Sequence, residues 1–88
     1  MQINKDFTIQ KVGVYYVAVP VGETSKNFHG MVKLNETGAF LWNALAKEDL
    51  SEEALVDQLL SEYDVSREIA TRDVHRIVEL LRENGILA

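Results

Sequence analysis

Cysteine is absent from the 88-residue chain, which rules out disulfide staples, thiolate metal sites and thiol catalysis. No apolar run approaches the roughly 20 residues that cross a bilayer. The longest, Val14 to Val21, has eight residues and contains Pro20, the only proline. No charged-then-apolar segment opens the chain. There is no glycine-rich phosphate loop, no internal repeat and no low-complexity stretch. Histidine is limited to His29 and His75. These absences predict one soluble, cytoplasmic domain spanning 1–88, with no cofactor and no membrane contact.

What the chain does have is apolar residues and carboxylates. Apolar residues make up 47% of the sequence, enough for a core. A chain of this size still buries only roughly 60–65% of its unfolded surface, so help from a partner is favourable. The charge is uneven: +2 over residues 1–33 and −7 over 34–88, giving −5 in all. An acidic domain repels phosphate backbones at long range, so nucleic acid is a poor partner and basic or neutral partners suit it better.

The first third reads as strands. Phe7 to Val12 alternates with period two, and Val14 to Val19 is apolar in both parities. Gly13 sits between them as the turn or bulge residue, and Pro20 and Gly22 close the second strand. Gly22 to Gly30 reads as a loop, and Met31 to Leu34 as a short third strand. The remainder reads as three helices. Asn35 caps the first, which runs to about Lys47; Ser51 caps the second and Ser66 the third. Leu55, Leu59 and Tyr63 form a row on the second helix; Ile69, Val74, Ile77, Val78 and Leu81 form the stripe of the third. Gly85 supplies the left-handed residue that ends it, and Ile86 and Leu87 fold back on the core. The fold class is α+β, a winged helix-turn-helix-like arrangement in which a three-stranded antiparallel sheet precedes three helices.

Catalytic chemistry finds little to work with. His75 and Glu79 are spaced to share a helix face, but two ligands do not make a metal site, and an exposed histidine beside a glutamate is the simpler reading. Ser51 and Ser66 are explained as caps, and Glu68, Arg72, Arg76 and Glu79 read as solvated face charges. The domain is therefore expected not to be an enzyme. A winged-helix DNA-binding regulator is one alternative, but a recognition helix presents an excess of basic and amide side chains. On the third helix four arginines are offset by four carboxylates. The strand ending at Leu34 lies at a sheet edge with one Lys and no Pro to blunt it. Such an edge accepts an extended peptide by strand addition, or is covered by a helix or by a second copy; the residues alone leave these open.

The run Met31-Val32-Lys33-Leu34-Asn35-Glu36-Thr37-Gly38-Ala39-Phe40-Leu41-Trp42 resembles the signature of the PqqD-like family. That family comprises the peptide chaperones of pyrroloquinoline quinone (PQQ) biosynthesis and related recognition elements of ribosomally made, modified peptides. The Ser51-capped helix ending in Tyr63-Asp64 and the closing Gly85-Ile86-Leu87 are similar too. Lys47-Glu48-Asp49-Leu50 departs from the family's frequent Asp-Gly turn after the first helix. The resemblance implies a non-catalytic adaptor that holds the leader of a precursor peptide for a modifying enzyme, often a radical S-adenosylmethionine enzyme. It implies a groove between the third strand and the third helix, mapping here to Met31, Val32, Lys33, Leu34, Asp73, Arg76, Ile77 and Leu80. For Val32, Leu34 and Ile77 plain core packing is the competing reading. Arg76 and Lys33 are expected to meet acidic leader residues. A structural or oligomerisation module is the remaining alternative. A homodimer is expected at high concentration, by exchange of the first two strands about a hinge in Gly22 to Gly30.

Overall fold

The structure is a computed structural model that describes residues 1–22 and 32–88. Within these, β1 (Phe7–Val12), β2 (Tyr15–Pro20) and β3 (Val32–Leu34) form an antiparallel sheet in the order β1-β2-β3. The helices α1 (Glu36–Lys47), α2 (Glu52–Glu62) and α3 (Arg67–Glu83) follow. This is the α+β, sheet-then-helices arrangement expected from the sequence. Met31, His29 and the proposed hinge beyond Gly22 lie outside the described residues.

Local chemistry sets most element ends. Gly13, at φ +64°, opens a two-residue turn with Val14, as a hairpin whose first turn residue needs positive φ requires. Val14 therefore belongs to the turn, and β2 starts at Tyr15, one residue later than the apolar run suggests. Pro20 faces Phe7 at the far end of the hairpin. The side chains of Asn35, Ser51 and Ser66 accept hydrogen bonds from the backbone N–H groups of Gly38, Ala54 and Ile69 at 2.8, 3.1 and 3.2 Å, so each caps its helix as predicted. Gly85 ends the α3 region at φ +70°.

One apolar core collects residues from every element. Phe7, Ala18, Val32 and Leu34 come from the sheet; Leu41, Trp42 and Leu45 from α1; Leu55, Val56 and Leu59 from α2. α3 contributes Ala70, Val74, Ile77, Val78 and Leu81, a helical stripe of the expected period. Ile69, assigned to that stripe from sequence, is 41% exposed. Ala70 takes the inward position, because the helix phase set by the other four residues reaches Ala70 rather than its neighbour. Phe40 and Tyr63 meet edge to face at 5.6 Å across the α1–α2 seam. Burial, reinforced by Glu36 and Glu62, pushes the Tyr63 hydroxyl above its ordinary pKa.

An unexpected strap closes the fold. Ile3 bridges to Leu87 in antiparallel fashion. Asn4 N–H donates to Ile86 O at 2.7 Å, Ala88 N–H to Gln2 O at 2.9 Å, and Leu50 N–H to Met1 O at 2.7 Å. Ile3 and Ile86 are buried beneath it. No helix among the described residues is long and apolar enough to cross a membrane.

Candidate functional site at the free edge of β3

The hydrogen-bonding side of each β3 residue follows from the hairpin. A two-residue turn makes its flanking residues, Val12 and Tyr15, a hydrogen-bonded pair, and such pairs alternate along an antiparallel ladder. The Val21 N–H donating to Asp6 O at 2.8 Å keeps that alternation beyond the last strand pair. Tyr15, Val17 and Val19 therefore spend their backbone groups on β1, and Tyr16 and Ala18 turn theirs to β3. Since Tyr16 faces Leu34 and Ala18 faces Val32, both β3 residues are hydrogen-bonded into the sheet. Lys33, opposite Val17, points its N–H and C=O away from β2, toward the open edge.

The side chains divide the same way. Val32 and Leu34 are 3% and 2% exposed and join Ile77, at 2%, in the core. These three sequence-predicted residues are thus packed inside the chain. Lys33 is exposed and sits on the opposite face of the sheet, its Nζ 4.6 Å from the centroid of the Tyr15 ring, within cation–π range. Tyr15 is the contact that sequence reading missed. On α3, Arg76 and Leu80 come together in a shallow groove of about 360 Å³, with His75, Glu79 and Glu83 beside them. Leu80 is half-buried against the core and Arg76 is exposed. Asp73 is half-buried and does not line this groove, and neither do the described β3 residues. Met31 lies outside the described residues.

Some of the charges around α3 are committed. Arg67 pairs with Asp57 at 3.0 Å, Arg82 pairs with Glu79, and His75 Nδ1 lies 3.1 Å from Glu52 Oε1 on α2. The spacing of His75 and Glu79 suggested a pair within the helix; Glu79 instead takes Arg82, one turn on. Arg76 and Lys33 make no ion pair with a described residue. A helix with two of its arginines neutralised by neighbouring carboxylates presents a poor surface to a phosphate backbone. Among the described residues no three His, Asp or Glu side chains gather as a metal site, and every buried side-chain polar atom has a partner.

The geometry is that of a short edge strand with one outward-facing backbone unit, flanked by a free cation on the sheet and a second on α3. The family model described as coenzyme PQQ synthesis protein D (PqqD) matches residues 16–87. Two solved structures resemble the fold across nearly its whole length. TbiB1 in complex with the TbiA(beta) leader peptide superposes with a TM-score of 0.73 at 23% identity, covering 99% of this chain and 94% of that one. Lasso peptide synthetase B1 complexed with the leader peptide gives 0.69 at 26% identity, covering 97% and 93%. No curated protein matches the chain.

Proposed function

The chain belongs to the PqqD family, and on that premise we propose that residues 1–88 form a non-catalytic adaptor that binds the leader of a ribosomally made precursor peptide by strand addition at β3. The observation that carries the reading is the outward backbone of Lys33 on an edge strand. An added extended chain completes the hydrogen bonds that β2 leaves open there, and main-chain pairing supplies affinity without demanding one sequence. The two solved relatives, each bound to a leader peptide, support the same ligand class. Val32, Lys33 and Leu34 supply the strand; Asp73, Arg76, Ile77 and Leu80 supply the α3 flank; Met31, the remaining residue expected at the site, lies outside the described residues. Because Val32, Leu34 and Ile77 are core residues, their part is to hold the edge in place. Lys33 and Arg76 are the groups free to meet carboxylates of the peptide.

The chain offers the leader to a modifying enzyme, of which a radical S-adenosylmethionine enzyme is the type the family implies, in the cytoplasm where precursor peptides are made. A small core also gives it reason to pair with a second copy. Calorimetric titration with the leader of the precursor peptide encoded beside its gene tests the reading. The expected result is saturable binding that is lost when the Lys33 N–H is removed. Binding of equal strength in a folded Lys33→Pro protein overturns it.

A further inference from the structure

The sheet has a second edge, at β1. The alternation that turns Lys33 outward spends the backbone groups of Thr8, Gln10 and Val12 on Val19, Val17 and Tyr15, and points those of Ile9 and Lys11 away from β2. No described strand lies beyond β1. The open run stops at Phe7, whose N–H donates to Asn4 O at 3.1 Å. Beside this edge, between β1 and α1, lies an open groove of about 440 Å³. Ile3, Phe7, Ile9 and Trp42 give it an apolar lining, Asn43 an exposed amide, and Lys5 its one charge. No described carboxylate lines it, and Asp6 lies outside it.

Charge sets what fits there. Lys5 and Lys11 are exposed and make no ion pair with a described residue. They stand in the part of the chain that carries +2, while the helical part carries −7. A lysine at a sheet edge turns away an apolar strand, which would bury its ammonium unpaired. It admits a strand that brings a carboxylate.

We propose that the β1 edge is the docking site of the modifying enzyme, which adds an extended acidic segment there as a further strand. The proposal rests on the leader-binding reading of β3. Once the leader occupies that edge, the enzyme needs a grip that the leader leaves free, and β1 lies two strand spacings, about 10 Å, from β3. Opposed residues of paired strands share a face. The segment residue level with Ile9 therefore enters the groove and is apolar. The residue level with Lys11, two positions on, is acidic, and a second carboxylate toward the other end meets Lys5.

Calorimetric titration of the modifying enzyme encoded beside its gene into the chain, with and without leader, tests this. Lys11→Pro removes an outward N–H and no ladder bond. It is expected to weaken enzyme binding at least about five-fold, and Lys11→Ala, which keeps the N–H, to weaken it less. Lys5→Glu, at an exposed position, is expected to weaken it several-fold at low salt and less at high salt, and it stands in should the proline variant not fold. Leader affinity should match wild type in all three, and Lys33→Pro should lose the leader yet keep the enzyme, so the leader titrations judge the β3 reading separately. A wild-type chain that does not bind the enzyme overturns the proposal. So does wild-type enzyme affinity in folded Lys11→Pro, or in Lys5→Glu where that variant stands in. Displacement of the enzyme by leader, or a dimer of the chain that Lys11→Pro abolishes, would assign the edge to another occupant and overturn it too.

Discussion

Replacing Lys33 and Val32 by proline, one at a time, separates the two sides of β3. Val32 is hydrogen-bonded to Ala18 in the register found here, and Ala18 is 3% exposed. Val32→Pro removes that donor and leaves the Ala18 carbonyl buried without its partner, a cost of about 1–3 kcal/mol, with lost core packing of the valine added. A chain of this length has a total stability of roughly 4–13 kcal/mol, so the loss is a large share. Lys33→Pro takes away a donor that faces the open edge, the one setting in which a sheet tolerates proline. It gives up the contact with Tyr15, about 0.5–1 kcal/mol at an exposed site, and no ladder bond. Against the leader peptide the order reverses. Without the Lys33 N–H, a peptide carbonyl docks unpaired, which costs about 1–3 kcal/mol, or roughly 5- to 150-fold in Kd. Lys33→Ala keeps the N–H and isolates the side chain. Urea denaturation and calorimetric titration of the three variants read both effects. Equal destabilisation by the two prolines would refute the assignment of backbone direction; a stable Lys33→Pro protein with wild-type affinity would refute strand addition.

Three further outcomes are expected. Arg76→Glu should slow leader association at low salt and leave the fold intact, since an exposed rim charge acts mainly on the on-rate and is worth roughly 0–1 kcal/mol; stopped-flow rates matching wild type would make Arg76 a solvated charge only. Gly38→Ala should lower the melting temperature even though alanine is the better helix former by about 0.8–1 kcal/mol. A methyl group there would lie 3.1 Å from Leu34 Cβ and 3.2 Å from its Cδ2, and overpacking a buried site costs about 1–3 kcal/mol; a raised melting temperature would contradict it. Tyr63 ionises less readily in the folded chain than its ordinary pKa of 10.0, so its contribution is complete below about pH 10 and is lost as the pH rises through the raised value. Stability should therefore fall above pH 10 more steeply in wild type than in Tyr63→Phe, and identical pH slopes in denaturant melts would count against the burial of that hydroxyl.

Features governed by local chemistry were readable from the residues. The caps at Asn35, Ser51 and Ser66, the turn at Gly13 and the helix stop at Gly85 depend on a side-chain acceptor or a positive φ within a few positions. The Leu34-Asn35-Glu36-Thr37-Gly38-Ala39 run, which carried the family resemblance, has a physical cause. Asn35 caps α1, and Gly38 lets the first helical turn rest on Leu34. Features set by register were harder. Assigning Val14 to the strand hides the two-residue turn, and that turn fixes which β3 residue shows its backbone to the edge. It is Lys33 and not Val32. Val56 and Ala70 went unassigned for a similar reason, since one residue of helical phase separates an inward side chain from an exposed one. Distant partners left no signal. Nothing near His75 points to Glu52, nor anything near Lys33 to Tyr15, and four residues at the start of the chain are too few to show a period.

The strap formed by residues 1–4 gives the fold an order of assembly. The β1–β2 hairpin and the α2–α3 pair each close over a short connection and are local in sequence. The bridge between Ile3 and Leu87 and the Ala88 to Gln2 hydrogen bond beside it span almost the entire chain and carry a large loop-closure entropy. It has no surface to land on until α1 and α3 are both in place, because its hydrogen bonds go to Leu45, Ile86 and the α1–α2 link. The strap is therefore the last part to close and the first to open. The amides of Asn4 and Ala88, each donating across it, should exchange their hydrogens through a partial opening that leaves the protection of Val74 and Val78 untouched.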